Sequence, residues 1–252
     1  GELMTSGVAG LDALLGGGLG EGTSTLVMGP AGAGKSLLAL HYAVCAAKRG
    51  QKAVAYLFDE DEGLLRERAA GLGFDLDEHV ASGLLAFQQV DAAELSPGEF
   101  AHEVVGRVAR DEARLVIIDS LNGYYAAMPE ERFLILHMHE LLSYLNRQGT
   151  VTLLTMAQHG LIGDMRTPAD LTYLSDSVLL LRYFEASGRV RRAISAIKKR
   201  AGPHEDSIRE FRWTREGLEV GAPLTGFQGV LRGVPTYLGQ SGPLLGGAAQ
   251  QP

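Results

Sequence analysis

Eight consecutive residues, Gly29, Pro30, Ala31, Gly32, Ala33, Gly34, Lys35 and Ser36, have types and spacing that suit phosphate chemistry. They match G-x-x-x-x-G-K-[ST]. Glycine and alanine keep side chains out of the way, so successive backbone N–H groups can curl around phosphate oxygens. A helix opening at the end of the motif adds the positive end of its dipole. Lys35 would supply a point charge for the β- and γ-phosphates. The Ser36 hydroxyl is placed to ligate Mg²⁺. Leu37 follows and completes the nucleotide-binding stretch 29–37.

Phosphoryl chemistry also needs carboxylates at the same edge of the fold. Asp119 ends the apolar run Leu115-Val116-Ile117-Ile118. An acid at the carboxyl end of a buried strand lies at the ligand crevice of an α/β sheet, where it can hold Mg²⁺. The competing reading of Asp119 is a helix cap. Ser120 follows it rather than Glu, so no water-activating acid is adjacent. Asp59 and Glu60 end another apolar run and could orient or deprotonate a water. Asp61 and Glu62 read as the solvated start of a helix. Gln158, after a later strand, is either a γ-phosphate sensor or a polar crevice residue. No N-K-x-D guanine-reading motif occurs, so ATP is favoured by exclusion.

A basic stretch runs from Arg191-Arg192 to Lys198-Lys199-Arg200. Three readings stay open from composition alone: a solvated edge strand, a cationic finger reaching a neighbour's γ-phosphate, or a nucleic-acid contact.

The elements that position these residues follow from periodicity. A short helix is expected around residues 11–15. Strand 23–28 precedes the glycine motif and apolar helix 37–48 follows it. Strand 53–58 leads to a charged helix over 63–72, and strand 84–90 comes next. Ser96, Pro97 and Glu99 spell a helix start, with Ser96 as cap, and that helix should run to Asp111. Strand 115–118, helix 130–147 and strand 151–156 complete the alternation, which predicts a mainly parallel α/β sheet. Then strands 178–185 and 190–199 are joined at hairpin spacing, followed by strands 208–213 and 218–220. The last third therefore adds an antiparallel extension at the sheet edge. Residues 1–232 read as one domain. The tail 233–252 has no charged residue, is rich in Gly, Pro and Gln, and is expected to be partly disordered.

Composition sets the remaining bounds. The 252 residues carry 30 acidic and 23 basic side chains, a net charge of −7 that argues against a general nucleic-acid binder. A single cysteine, Cys45, excludes an internal disulfide and points to a reducing, cytoplasmic setting. No apolar run reaches the ~18 residues of a membrane span. The opening Gly-Glu-Leu-Met does not read as a secretion signal, and without an initiator Met the chain reads as an excised piece. The 33 glycines cluster at the motif and at two other stretches. Cys45 reads as buried packing. His137 and His139 lack the i, i+4 spacing of a metal pair. Trp213 is assigned to the core or the edge of a base pocket.

Together these segments resemble the RecA-like ATPases, and within them the family of the circadian clock protein KaiC. The resemblance is carried by TSGVAGLDALLGGGL, GPAGAGKS, YLFDE, LSDSVLLLRYFEASGRVRRAISAIKKRAGPHEDSIREF and GFQGVLRGVP, and spans Thr5 to about Leu238. It implies a RecA-like P-loop fold, hexamers with Mg·ATP between subunits, and the C-terminal type of domain. The family's paired glutamates fall on Asp59 and Glu60, with Glu60 keeping the family's residue as base. Its trans-acting Lys, Arg and His fall on Lys198, Arg200 and His204. Its adjacent autophosphorylated Ser and Thr fall on Thr172 and Tyr173. The resemblance implies ATP hydrolysis, autophosphorylation, and a nucleotide-dependent switch acting on a clock or signalling partner. The rival readings are a recombinase or helicase ATPase on the same fold, and a nucleotide-gated scaffold without turnover.

Overall fold

Apolar runs bounded by glycine or acid become strands buried on both faces, and amphipathic runs between them become the helices that cover those faces. The computed structural model describes residues 1–91, 94–126, 131–158, 173–200, 202–230, 236–237 and 244–245. In chain order, β1 (Leu3–Met4), α1 (Ala9–Leu14) and β2 (Leu19–Gly20) lead to β3 (Ser24–Gly29) and α2 (Lys35–Lys48). Then come β4 (Ala53–Leu57), α3 (Glu62–Ala70), α4 (Leu76–Ala81), β5 (Leu85–Gln89) and α5 (Pro97–Asp111). β6 (Leu115–Asp119), α6 (Leu121–Ala126), α7 (Glu131–Arg147) and β7 (Val151–Ala157) follow. The last third holds β8 (Ser177–Ala186), β9 (Arg189–Lys199), β10 (Ile208–Thr214), β11 (Gly217–Pro223), β12 (Phe227–Gln228) and β13 (Thr236–Tyr237).

Nine strands form one sheet in the order β11-β10-β9-β8-β3-β7-β6-β4-β5. From β8 to β5 every neighbour is parallel. From β8 outward to β11 every neighbour is antiparallel. This is the α/β RecA-like architecture, a mainly parallel sheet with an antiparallel C-terminal extension. Alternate residues of one strand feed two cores: Val27 of β3 packs with α1 and α2, while Leu26 and Met28 pack with α5 and α7.

Local chemistry sets the ends of several elements. The Ser96 hydroxyl accepts from the Glu99 amide at 3.1 Å, with Pro97 in the first turn, as the capping pattern predicts. Such a cap is worth about 1 kcal/mol. Phe100, Val104 and Val108 then recur every four residues and are buried. The β8–β9 turn uses Ser187 and Gly188, both at positive φ (56° and 69°), the backbone of a tight two-residue hairpin.

The expectations differ from the structure in places with physical reasons. α2 begins at Lys35 rather than Leu37, because Gly34 at φ 105° is already its cap. α3 begins at Glu62, because the Asp61 carboxylate accepts from the Leu64 amide at 2.9 Å and caps it. α4 and α6 were not legible as helices. Each is only six residues long, and α6 contains Gly123. Most of the tail 233–252 lies outside the described residues. Within it, β13 pairs with β12, and the Leu245 amide donates to Glu210 at 2.7 Å.

Candidate active site

The parallel strands all end at one edge, so the turns after β3, β4 and β6 converge there. The glycine motif leaves β3 and curls back on itself. The Ala33 amide donates to the Pro30 carbonyl at 3.2 Å, and the Lys35 ammonium donates to the same carbonyl at 2.9 Å. The curl depends on Gly34. A Cβ there would lie 2.6 Å from the Trp213 indole nitrogen, and φ is positive. Lys35 is buried. Burial lowers its pKa, while Asp119, Asp59 and Glu60 act to raise it.

Asp119 ends β6 and is buried. Its Oδ1 accepts from the Thr155 hydroxyl at 2.7 Å, and the Ser36 hydroxyl also bonds it. Burial raises its pKa, and the Ser36 and Thr155 hydrogen bonds oppose that rise. Capping of α6 falls instead to Ser120, whose Oγ accepts from the Gly123 amide at 3.2 Å. The Asp119 carboxylate is therefore aimed at the motif rather than spent on a cap.

Asp59 accepts from the Ser120 amide at 3.1 Å and from the Ser120 hydroxyl at 2.9 Å. That approach needs Gly123, where a Cβ would lie 3.0 Å from Asp59 Oδ1. Glu60 is held differently. Its carbonyl accepts from Gln89 at 2.9 Å, and its carboxylate pairs with Arg68 of α3. Burial raises the Glu60 pKa, as do Asp119 and Asp59, and Arg68 lowers it. These groups line one cleft of about 200 Å³ together with Gly32, Gly34, Ser36 and Leu37.

The sequence-predicted residues Lys35, Ser36, Asp59, Glu60 and Asp119 are thus brought together. Gln158 joins them in part: its amide donates to the Gly29 carbonyl at 2.9 Å. Its side-chain amide is buried without a hydrogen bond among the described residues. Trp213 packs on Gly34 and, at a centroid distance of 5.9 Å, against Phe74. Arg68, Ser120 and Thr155 were missed. Thr155 reaches Asp119 only because β6 and β7 are parallel neighbours, a pairing that no local signal gives.

Lys198, Arg200 and His204 are not brought to this cleft. Ser177 pairs with Lys199, and Thr25 pairs with Ser177, so across β8 the end of β9 is level with the start of β3. At ~3.3 Å per residue that is roughly 13 Å from Gly29. There Lys198 donates to the Ser175 carbonyl at 2.9 Å. Arg200 donates to the Tyr173 carbonyl at 2.7 Å and lies 3.6 Å from Asp176. His204 is exposed. Tyr173 is 72% exposed, with the Arg200 guanidinium 5.7 Å from its ring centre. Thr172 lies outside the described residues.

The other basic residues of β9 form no continuous cationic face. Arg191 is buried against Glu210 at 2.9 Å, and Arg192 lies over the Tyr183 ring at 5.5 Å. Cys45 is half-buried rather than buried; its thiol donates to the Ser6 carbonyl at 3.2 Å, and partial burial raises its pKa. Among the described residues no cluster of three His, Cys, Asp or Glu could hold a metal by itself. The Ser36 hydroxyl and the Asp119 carboxylate still suit Mg²⁺, which takes few protein ligands beside phosphate and water. Among the described residues, no helix is long and apolar enough to cross a membrane.

The sheet order and the glycine motif at its carboxyl edge define a RecA-like P-loop ATPase domain. A model of the KaiC ATPase family matches residues 4–225, and the chain belongs to that family. It is 27% identical over 235 residues to the circadian clock oscillator protein KaiC of Acaryochloris marina, covering 92% of this chain and 45% of that protein. It is 28% identical over 241 residues to the circadian clock protein KaiC3 of a Synechocystis strain, covering 94% and 47%. The KaiC of Thermostichus vulcanus is 26% identical over 236 residues, covering 93% and 45%. The chain thus spans about half the length of the curated relatives it matches.

Proposed function

We propose that this domain binds and hydrolyses Mg·ATP in a ring of identical subunits, a hexamer as the family resemblance implies, and that the nucleotide state switches assembly or partner binding. The observation that carries the reading is the convergence of Lys35, Ser36, Asp119 and Glu60 in one cleft of P-loop backbone. Residues 29–37 would cradle the phosphates, with Lys35 on the β- and γ-oxygens. Ser36 and Asp119 would hold Mg²⁺, whose charge offsets that of the phosphates. Glu60 would take a proton from the attacking water, and Asp59, tied to Ser120, would stand beside it. Lys198, Arg200 and His204 lie far from this chain's own cleft, which supports their action on a neighbour's nucleotide.

The same reading extends to Thr172 and Tyr173 as phosphoryl acceptors. A phosphate on Tyr173 would set about two negative charges near Arg200. The output would be a timing or signalling switch in the cytoplasm, read by a protein partner. The recombinase reading is weakened by the burial of Arg191 and the stacking of Arg192. Residues 1–232 are taken as the working domain.

The test is ADP release together with intact-mass spectrometry and peptide mapping after incubation with Mg·ATP. ADP release that is lost in Lys35→Ala supports the ATPase. An added phosphoryl group on Thr172 or Tyr173 supports the autokinase, and its absence returns both residues to interface packing. ATP-dependent assembly without ADP release would leave a nucleotide-gated scaffold and overturn the hydrolytic reading.

A further inference from the structure

Helix α3 carries two arginines two positions apart, so they leave the helix on nearly opposite sides. Arg66 turns to α4, where it pairs with Asp77, and it also lies 4.0 Å from Glu62. Arg68 turns the other way. It pairs with Glu60 and lines the same cleft as Gly32, Gly34 and Lys35. An exposed helical arginine has many solvated places to go, yet this one is drawn to a carboxylate at the mouth of the nucleotide cleft.

The charges around Glu60 give that pair a purpose. Asp59 and Asp119 repel its carboxylate, while Lys35 and Arg68 attract it. Asp59 is fixed by Ser120 and Asp119 by Thr155. Lys35 is turned to the Pro30 carbonyl and would be engaged by phosphate once nucleotide enters. Glu60 has a longer, freer side chain than either aspartate. Its backbone is anchored by Gln89, but among the described residues Arg68 is the side chain its carboxylate bonds.

We propose that Arg68 is a positioning residue for Glu60: it holds the carboxylate at the cleft against the repulsion of Asp59 and Asp119, where it can act on the attacking water. The inference rests on the reading of Glu60 as base. Without Arg68 the carboxylate swings outward into solvent, and the P-loop and its phosphate contacts stay as they are. Arg68 thus acts on the chemical step rather than on ATP binding.

The experiment is steady-state ATP turnover by the full assembled chain, comparing wild type, Arg68→Met, Arg68→Lys, Glu60→Gln and the Arg68→Met/Glu60→Gln pair. The expected result is a kcat lowered about tenfold in Arg68→Met with KM for ATP within about threefold, and most of the loss recovered by Arg68→Lys. In the Glu60→Gln background, Arg68→Met has no further effect, because the two residues act as one unit. A rise in KM with kcat intact would make Arg68 a nucleotide contact and overturn the proposal. So would an equal loss in both backgrounds, or no change in Arg68→Met. Where Glu60→Gln turns over too slowly to measure, the kcat-against-KM split and the lysine rescue decide. Wild-type turnover in Glu60→Gln would instead remove the base assignment itself. Loss in Glu60→Gln with an unaffected Arg68→Met removes only the role of Arg68.

Discussion

Lys35 stands among three carboxylates, and their charges decide how it works. Burial favours its neutral amine, and Asp119, Asp59 and Glu60 favour the ammonium that phosphate needs. Lys35→Ala removes the cation and leaves those acids facing the phosphates. ATP affinity should fall by at least about 100-fold, measured by calorimetry with the non-hydrolysed analogue. Glu60→Gln should lower kcat by about 100-fold at nearly constant KM, read from steady-state ADP release. A base must be deprotonated, and burial lifts the Glu60 pKa above its ordinary value. Turnover should therefore be full at alkaline pH and fall away as pH drops through a value above that of an ordinary glutamate. A pH–rate profile checks this, and a limb at or below ordinary glutamate would contradict it. Which of these groups the sequence revealed depends on locality. The P-loop residues are fixed by spacing within eight positions, and Asp119 by its place at a strand end. Arg68 meets Glu60, Ser120 meets Asp59 and Thr155 meets Asp119 only through helix rotation and strand register.

Long elements were legible because their signals repeat. α5 combines a capping sequence with a buried stripe, β6 is an apolar run closed by Asp119, and β7 is apolar apart from Thr152 and Thr155. α4 and α6 gave no repeat long enough to read. Contacts between elements were less legible still. Trp213 of β10 abuts Gly34 at the head of α2, although 179 positions separate them in the chain, from 34 to 213. A side chain at Gly34 meets both that indole and an unfavourable φ. Gly34→Ala should destabilise the domain by about 1–3 kcal/mol and weaken nucleotide binding, measured by thermal unfolding with and without ATP. Trp213 is the one tryptophan of the chain, so its emission reports this one place, where it meets Gly34 and Phe74. Titration with Mg·ATP should change its intensity or wavelength, and the change should vanish in Lys35→Ala.

The sheet has two chemically different ends. P-loop, Asp119 and Glu60 gather where the parallel strands finish, and the antiparallel return of β9 delivers Lys198 and Arg200 to where they begin. If the proposed trans action holds, Lys35→Ala and Arg200→Ala should each be inactive. An equal mixture, allowed to exchange subunits, should then recover turnover at about a quarter of its interfaces, since that fraction pairs an intact P-loop with an intact finger. Recovery is measured as ADP release against each variant alone, and none would argue that each subunit serves itself.

The reversal of β9 also gives such a ring a sense of rotation. Each member would hand its cations to one neighbour and receive them from the other, never both ways across the same boundary. Spent nucleotide in one cleft would then be felt first on a single side. News of hydrolysis would travel around the circle as a one-way relay, set by a cleft and a finger at opposite ends of one sheet.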